Sequence, residues 1–95
     1  MKLTLAQTET LRALINLGRD TFHSIHNIVC ARIKVRPGDH SGHFEKHWGL
    51  MVTKTTAKLT ELKVIGLVKN GKIDESTDKG WMTTLKGKKL GKDLR

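Results

Sequence analysis

The sequence predicts an α+β fold, mostly helical, in which three to four helices precede a two-stranded β-hairpin. Three observations carry this. Apolar residues recur at helical spacing through the first two-thirds of the chain. Two turn-rich stretches, RPGDHSGH (Arg36 to His43) and IDESTDKG (Ile73 to Gly80), divide it. Two short strand-like runs, Gly66 to Lys69 and Trp81 to Leu85, flank an Asn70-Gly71 pair of the kind that turns hairpins. A chain of 95 residues is expected to form a single domain over 1–95, with one modest core and no room for a large pocket besides.

The elements follow in order. Thr4 with Gln7 three residues on has the form of a capping box. Leu5, Thr8, Leu11, Leu14 and Ile15 then repeat at helical spacing until Gly18, which predicts a helix over about 5–17. Asp20 or Thr21 can cap a second helix over about 21–33, lined by Phe22, Ile25, Ile28, Val29 and Ile33. Pro37 forces Arg36 out of helical geometry, so 34–42 is the clearest loop. A short helix, FEKHWG, is expected from Phe44 to Gly49. Another follows over about 53–65, giving a helix-turn-helix over about 43–65. At 100° per residue, Val52, Thr55, Leu59, Leu62 and Gly66 share its inner side. Thr53, Lys54, Ala57, Thr60, Glu61 and Val64 share the outer side, with Lys58 on the flank. The hairpin occupies about 66–85, and 86–95 is a basic, glycine-interrupted tail.

Charge narrows the partner. Lys and Arg total 18 against 9 acidic residues, a formal net charge of +9. Such an excess in a small domain attracts polyanions through long-range fields and counterion release. Aromatics are sparse, with Phe22, Phe44, Trp48 and Trp81 and no Tyr, which argues against a base-stacking platform for single strands. Trp48 is expected to pack on the following helix, and Trp81 to be half-buried on its strand. The single Cys precludes an internal disulfide and fits a reducing compartment. Apolar stretches reach only about five residues, far below the ~20 needed to span a bilayer. The expected location is the cytoplasm, bacterial or, for a virus-encoded chain, that of the host, with no membrane partner.

The stretch WGLMVTKTTAKLTELKVIGLV, Trp48 to Val68, is similar to the helix-turn-helix of MarR-type and related winged-helix regulators. In that group a Gly-containing turn precedes a Ser/Thr-rich recognition helix, which ends in Leu-x-x-Leu followed by Gly-Leu-Val. Gly49 holds the turn here, and Leu59, Leu62, Gly66, Leu67 and Val68 hold the other places. TLKGKKL, Thr84 to Leu90, and the N-terminal LTLAQTETLRALINLG resemble flanking segments of the same group. The resemblance implies a winged helix-turn-helix that binds double-stranded DNA. The chain departs from the group in carrying Lys rather than Arg on this helix, in a long 34–42 loop, and in acid at the wing tip. There Asp74, Glu75 and Asp78 oppose Lys72 and Lys79.

On that reading the short side chains of 53–60 let the helix backbone approach a major groove. Thr53, Thr56 and Thr60 offer hydroxyls to base edges or phosphates, Ala57 a surface for a thymine methyl, and Lys54 a donor to guanine. Lys58, Lys69, Lys72 and Lys79, with Lys86, Lys88 and Lys89, suit phosphates, whose contacts orient without reading sequence.

Two pairs of potential zinc ligands stand four residues apart, His26 with Cys30 and His43 with His47. They lack the CxxC or HExxH context of a strong metal signal, so no cofactor is expected and zinc is the one metal worth testing. Solvated or core histidines account for the same residues. No serine elbow, paired carboxylates or phosphate loop points to catalysis, so an enzyme is not expected. The expected function is a small sequence-specific transcriptional regulator. Site-specific reading ordinarily engages two half-sites, which implies a homodimer or a protein partner. Two alternatives stand beside it: an adaptor or inhibitor docking on a polymerase or replication assembly, which the acidic tip favours, and an RNA-binding domain, which the charge allows.

Overall fold

The structure is a computed structural model. It describes residues 2–34, 42–73 and 79–93, with side chains at all of these except 42–46 and 93. The described residues form α1 (Leu5–Leu17), α2 (Ile25–Ile33), α3 (Gly42–Ile65), β1 (Val68–Gly71), β2 (Gly80–Thr83) and α4 (Leu85–Asp93). The fold is α+β and mostly helical, with one small antiparallel sheet.

α1 forms as its sequence dictates. The Gln7 amide donates to Thr4 Oγ1 at 3.2 Å, and the Thr4 amide donates to Gln7 Oε1 at 2.9 Å, closing the capping box. Gly18 ends the helix at φ 143°, its amide reaching the Ile15 carbonyl. Leu11, Leu14 and Ile15 point inward.

α2 begins at Ile25, not at 21. Residues 22–23 are used otherwise: His23 and Trp81 exchange both backbone hydrogen bonds at 2.9 Å, so this segment extends along the outer side of β2. Ser24 is therefore the cap, accepting from the Asn27 amide. Lys34 closes α2 in the left-handed conformation, φ 61°. Of the expected loop 34–42, residues 35–41 lie outside the described set and Gly42 already belongs to α3.

α3 corrects a larger expectation. The short helix, Gly49 turn and second helix are a single helix of 24 residues. A mid-helix glycine costs only about 1 kcal/mol, and the flanking residues sustain the helix without a break. The real stop is Gly66 at φ 93°. The Leu67 amide bonds the Leu62 carbonyl at 2.9 Å and the Gly66 amide bonds that of Lys63 at 3.0 Å, a Schellman closure. Leu62 and Leu67, both fully buried, supply its apolar contact.

The hairpin register pairs Val68 with Thr83, Lys69 with Met82, Asn70 with Trp81 and Gly71 with Gly80. The first strand thus starts two residues later than expected, and Asn70-Gly71 lies within it instead of turning the chain. Packing explains the glycines. A Cβ on Gly71 would stand 2.2 Å from the Phe22 ring, and one on Gly80 would stand 2.8 Å from Phe22 Cβ. Phe22 lies over this glycine pair where side chains would otherwise be.

Over its described residues the expected basic tail is a helix, α4, which begins at Leu85. Thr84 caps it: its hydroxyl accepts from the Gly87 amide at 3.2 Å and donates to the Gly66 carbonyl at 2.6 Å. One core joins these elements: Leu11, Leu14, Ile15, Ile28, Leu59, Leu62, Leu67, Val68 and Trp81. Trp81 is 9% exposed, more deeply placed than the half-burial expected. None of the described helices is long and apolar enough to cross a membrane.

Candidate nucleic-acid interface

α3 turns Thr55, Leu59 and Leu62 into the core, and this sets its outward face. Thr53, Lys54, Ala57 and Thr60 are exposed together on that face. From 53 to 60 the face spans about 10 Å along the axis, close to the ~12 Å width of a major groove. The whole helix is about 36 Å long, so only part of it can lie in one groove.

The threonine hydroxyls are already oriented. Thr53 Oγ1 donates to the Gly49 carbonyl and Thr60 Oγ1 to that of Thr56, each at 2.9 Å. Their protons face the helix and their lone pairs face solvent. As placed, they accept hydrogen bonds, which suits the amino groups of adenine or cytosine rather than the acceptors of guanine. Thr56 borders this face and is half-buried. It lies in a groove of about 380 Å³ between α3 and the hairpin, with Ile25, Asn70, Lys79 and Trp81.

Of the two cations expected on α3, Lys54 is exposed to solvent. Lys58 instead pairs with Glu61 at 3.1 Å, and Gln7 of α1 donates to the same carboxylate at 2.9 Å. The Gln7 hydrogen bond, then the Lys58 contact, hold the Glu61 carboxyl below its ordinary pKa. A phosphate would have to compete with Glu61 for Lys58. The remaining candidates, Lys69 on β1, Lys72 just after it and Lys79 just before β2, are all exposed. The acidic tip residues Asp74, Glu75 and Asp78 lie outside the described set.

Because α3 is continuous, its outward face extends upstream, which the expected turn at Gly49 concealed. His47 and Leu50 stand seven residues before Lys54 and Ala57, and both are exposed. Leu50, Ala57 and Val64 therefore form an apolar line at heptad spacing, with Leu50 54% and Val64 83% exposed.

The possible zinc ligands have other environments. Cys30 is 1% exposed, and burial pushes its thiol pKa up. The His26 ring stacks obliquely on Trp48, centroids 4.9 Å apart, joining α2 to α3. Trp48 thus packs across to another helix, where packing on a separate recognition helix was expected. The His43 side chain is outside the described set. Among the described residues no three His, Cys, Asp or Glu side chains gather as metal ligands would. No protein-family model, no curated protein and no solved structure matches the chain.

Proposed function

We propose that the protein binds double-stranded DNA through the outward face of α3, as a small sequence-specific regulator without chemistry of its own. The observation that carries this reading is the face itself: Thr53, Lys54, Ala57 and Thr60 exposed side by side, short enough to admit a groove wall, in a chain of net charge +9. The hairpin follows directly and adds Lys69, Lys72 and Lys79 as phosphate contacts, the arrangement a winged helix would use. Lys54→Glu tests it by fluorescence anisotropy on duplex fragments across a salt series. The expected result is a loss of affinity for the preferred fragment of about tenfold or more, with reduced discrimination between fragments. Unchanged binding would refute the assignment to α3. Structured RNA that outcompetes duplex would redirect the reading to RNA.

A second reading is supported by the exposure of Leu50 and Val64 on the same face. A line of Leu50, Ala57 and Val64 suits the apolar side of a partner helix, as in an adaptor or inhibitor. In that case Val64→Glu abolishes partner binding while Lys54→Glu has little effect.

A further inference from the structure

The C-terminal lysines, unlike those of a loose tail, are held on a docked helix. At 100° per residue, Lys86, Lys89, Lys92 and Lys88 of α4 occupy an arc of about 160°. Gly87, Leu90 and Gly91 occupy the opposite side. That side is fixed in place. A Cβ on Gly87 would stand 2.2 Å from the Leu67 carbonyl oxygen, and one on Gly91 would stand 2.2 Å from Ile15 Cδ1. Leu90 packs against the core. The helix therefore cannot roll, and its lysine side faces solvent.

Lys88 is taken up by an ion pair with Asp20. Lys86, Lys89 and Lys92 are exposed, and the bond of Lys86 to the Ile65 carbonyl is long at 3.4 Å. From 86 to 92 the row is about 9 Å. One DNA strand presents a phosphate every ~3.4 Å of axis, so the row faces about three of them.

We propose that α4 is a second, sequence-independent contact for the phosphate backbone of duplex DNA, distinct from the face of α3. The choice of duplex as the polyanion rests on the DNA-binding reading above; the polyanion contact itself rests on α4. An anionic lipid surface fits less well. Interfacial helices bury an apolar face in the bilayer, and α4 has already committed that face to Ile15 and Leu67, leaving only Leu85 exposed among the lysines.

The test uses the full chain with Lys86→Gln, Lys89→Gln and Lys92→Gln combined, beside Lys54→Glu. Glutamine keeps helix propensity, and circular dichroism checks that both variants fold. Anisotropy is read on several unrelated duplexes against salt. The triple variant is expected to weaken every duplex by the same factor and to reduce the magnitude of the log–log salt slope by about 2 to 3, leaving the order of preference intact. An unchanged slope overturns the proposal. If Lys54→Glu still weakens binding in that case, the α3 reading survives alone. If the triple variant flattens the slope while Lys54→Glu has no effect, α4 is the contact and the α3 reading falls. Failure of the unaltered chain to bind any duplex sinks both. Phosphatidylserine vesicles form the control arm: binding lost in the triple variant, with the duplex slope unchanged, overturns the proposal in favour of a lipid surface.

Discussion

Glu61 shows what a single residue gains from its neighbours. Its place on the outer side of α3 follows from helical periodicity, but its partner Gln7 is 54 residues away in sequence. With its pKa lowered in the fold, the carboxylate contributes stability above the ordinary carboxylate range and loses it as the pH falls through its folded-state pKa. The stability gap between the unaltered chain and Glu61→Gln is therefore expected to be largest near neutrality and to shrink on acidification below about pH 4. Thermal melts of both proteins from neutral to acidic pH measure it, and a gap independent of pH contradicts the assignment. Thr53 and Thr60 make a related point. The sequence places their hydroxyls outward; only the backbone carbonyls one turn earlier make them acceptors.

At the scale of elements, α3 is where local reasoning and structure part. Gly49 was a credible turn because glycine is both helix-weakening and turn-forming. Nothing lies within 4 Å of a Cβ built there, and its φ is not positive. Gly49→Ala is accordingly expected to stabilise the protein by about 0.5–1 kcal/mol, measured by urea unfolding. Destabilisation would mean that the chain does turn at this point. The same ambiguity displaced β1: Asn-Gly is a strong hairpin signal, yet Gly71 serves the Phe22 ring instead. α1 had no such competition, because its capping box and terminal glycine act within a few residues, and its bounds match the sequence reading.

At the scale of the molecule, α4 ties the C-terminal residues to α1 and to the start of the hairpin. Gly87 approaches a backbone carbonyl of Leu67, which cannot move aside; Gly91 approaches the end of the Ile15 side chain, which can rotate. Gly87→Ala is therefore expected to cost about 1–3 kcal/mol as overpacking, and Gly91→Ala less. Chemical denaturation of the two variants tests the order, and equal costs would show that α4 is not held as described. This docking also gives the molecule a second basic surface besides the hairpin and α3.

The sequence by itself determined the fold class, α1 in full, the inward face of α3 and the net positive charge, since periodicity, capping and composition act over short range or need no partner. The candidate DNA face was legible for the same reason: burial of Thr55, Leu59 and Leu62 leaves Thr53, Lys54, Ala57 and Thr60 outside. Tertiary structure alone decided the start of α2, the tie of Glu61 to α1 and the docking of α4. Each depends on a residue distant in the chain: His23 needs Trp81, Glu61 needs Gln7, and Gly87 and Gly91 have a purpose only where Leu67 and Ile15 come close enough to exclude a side chain.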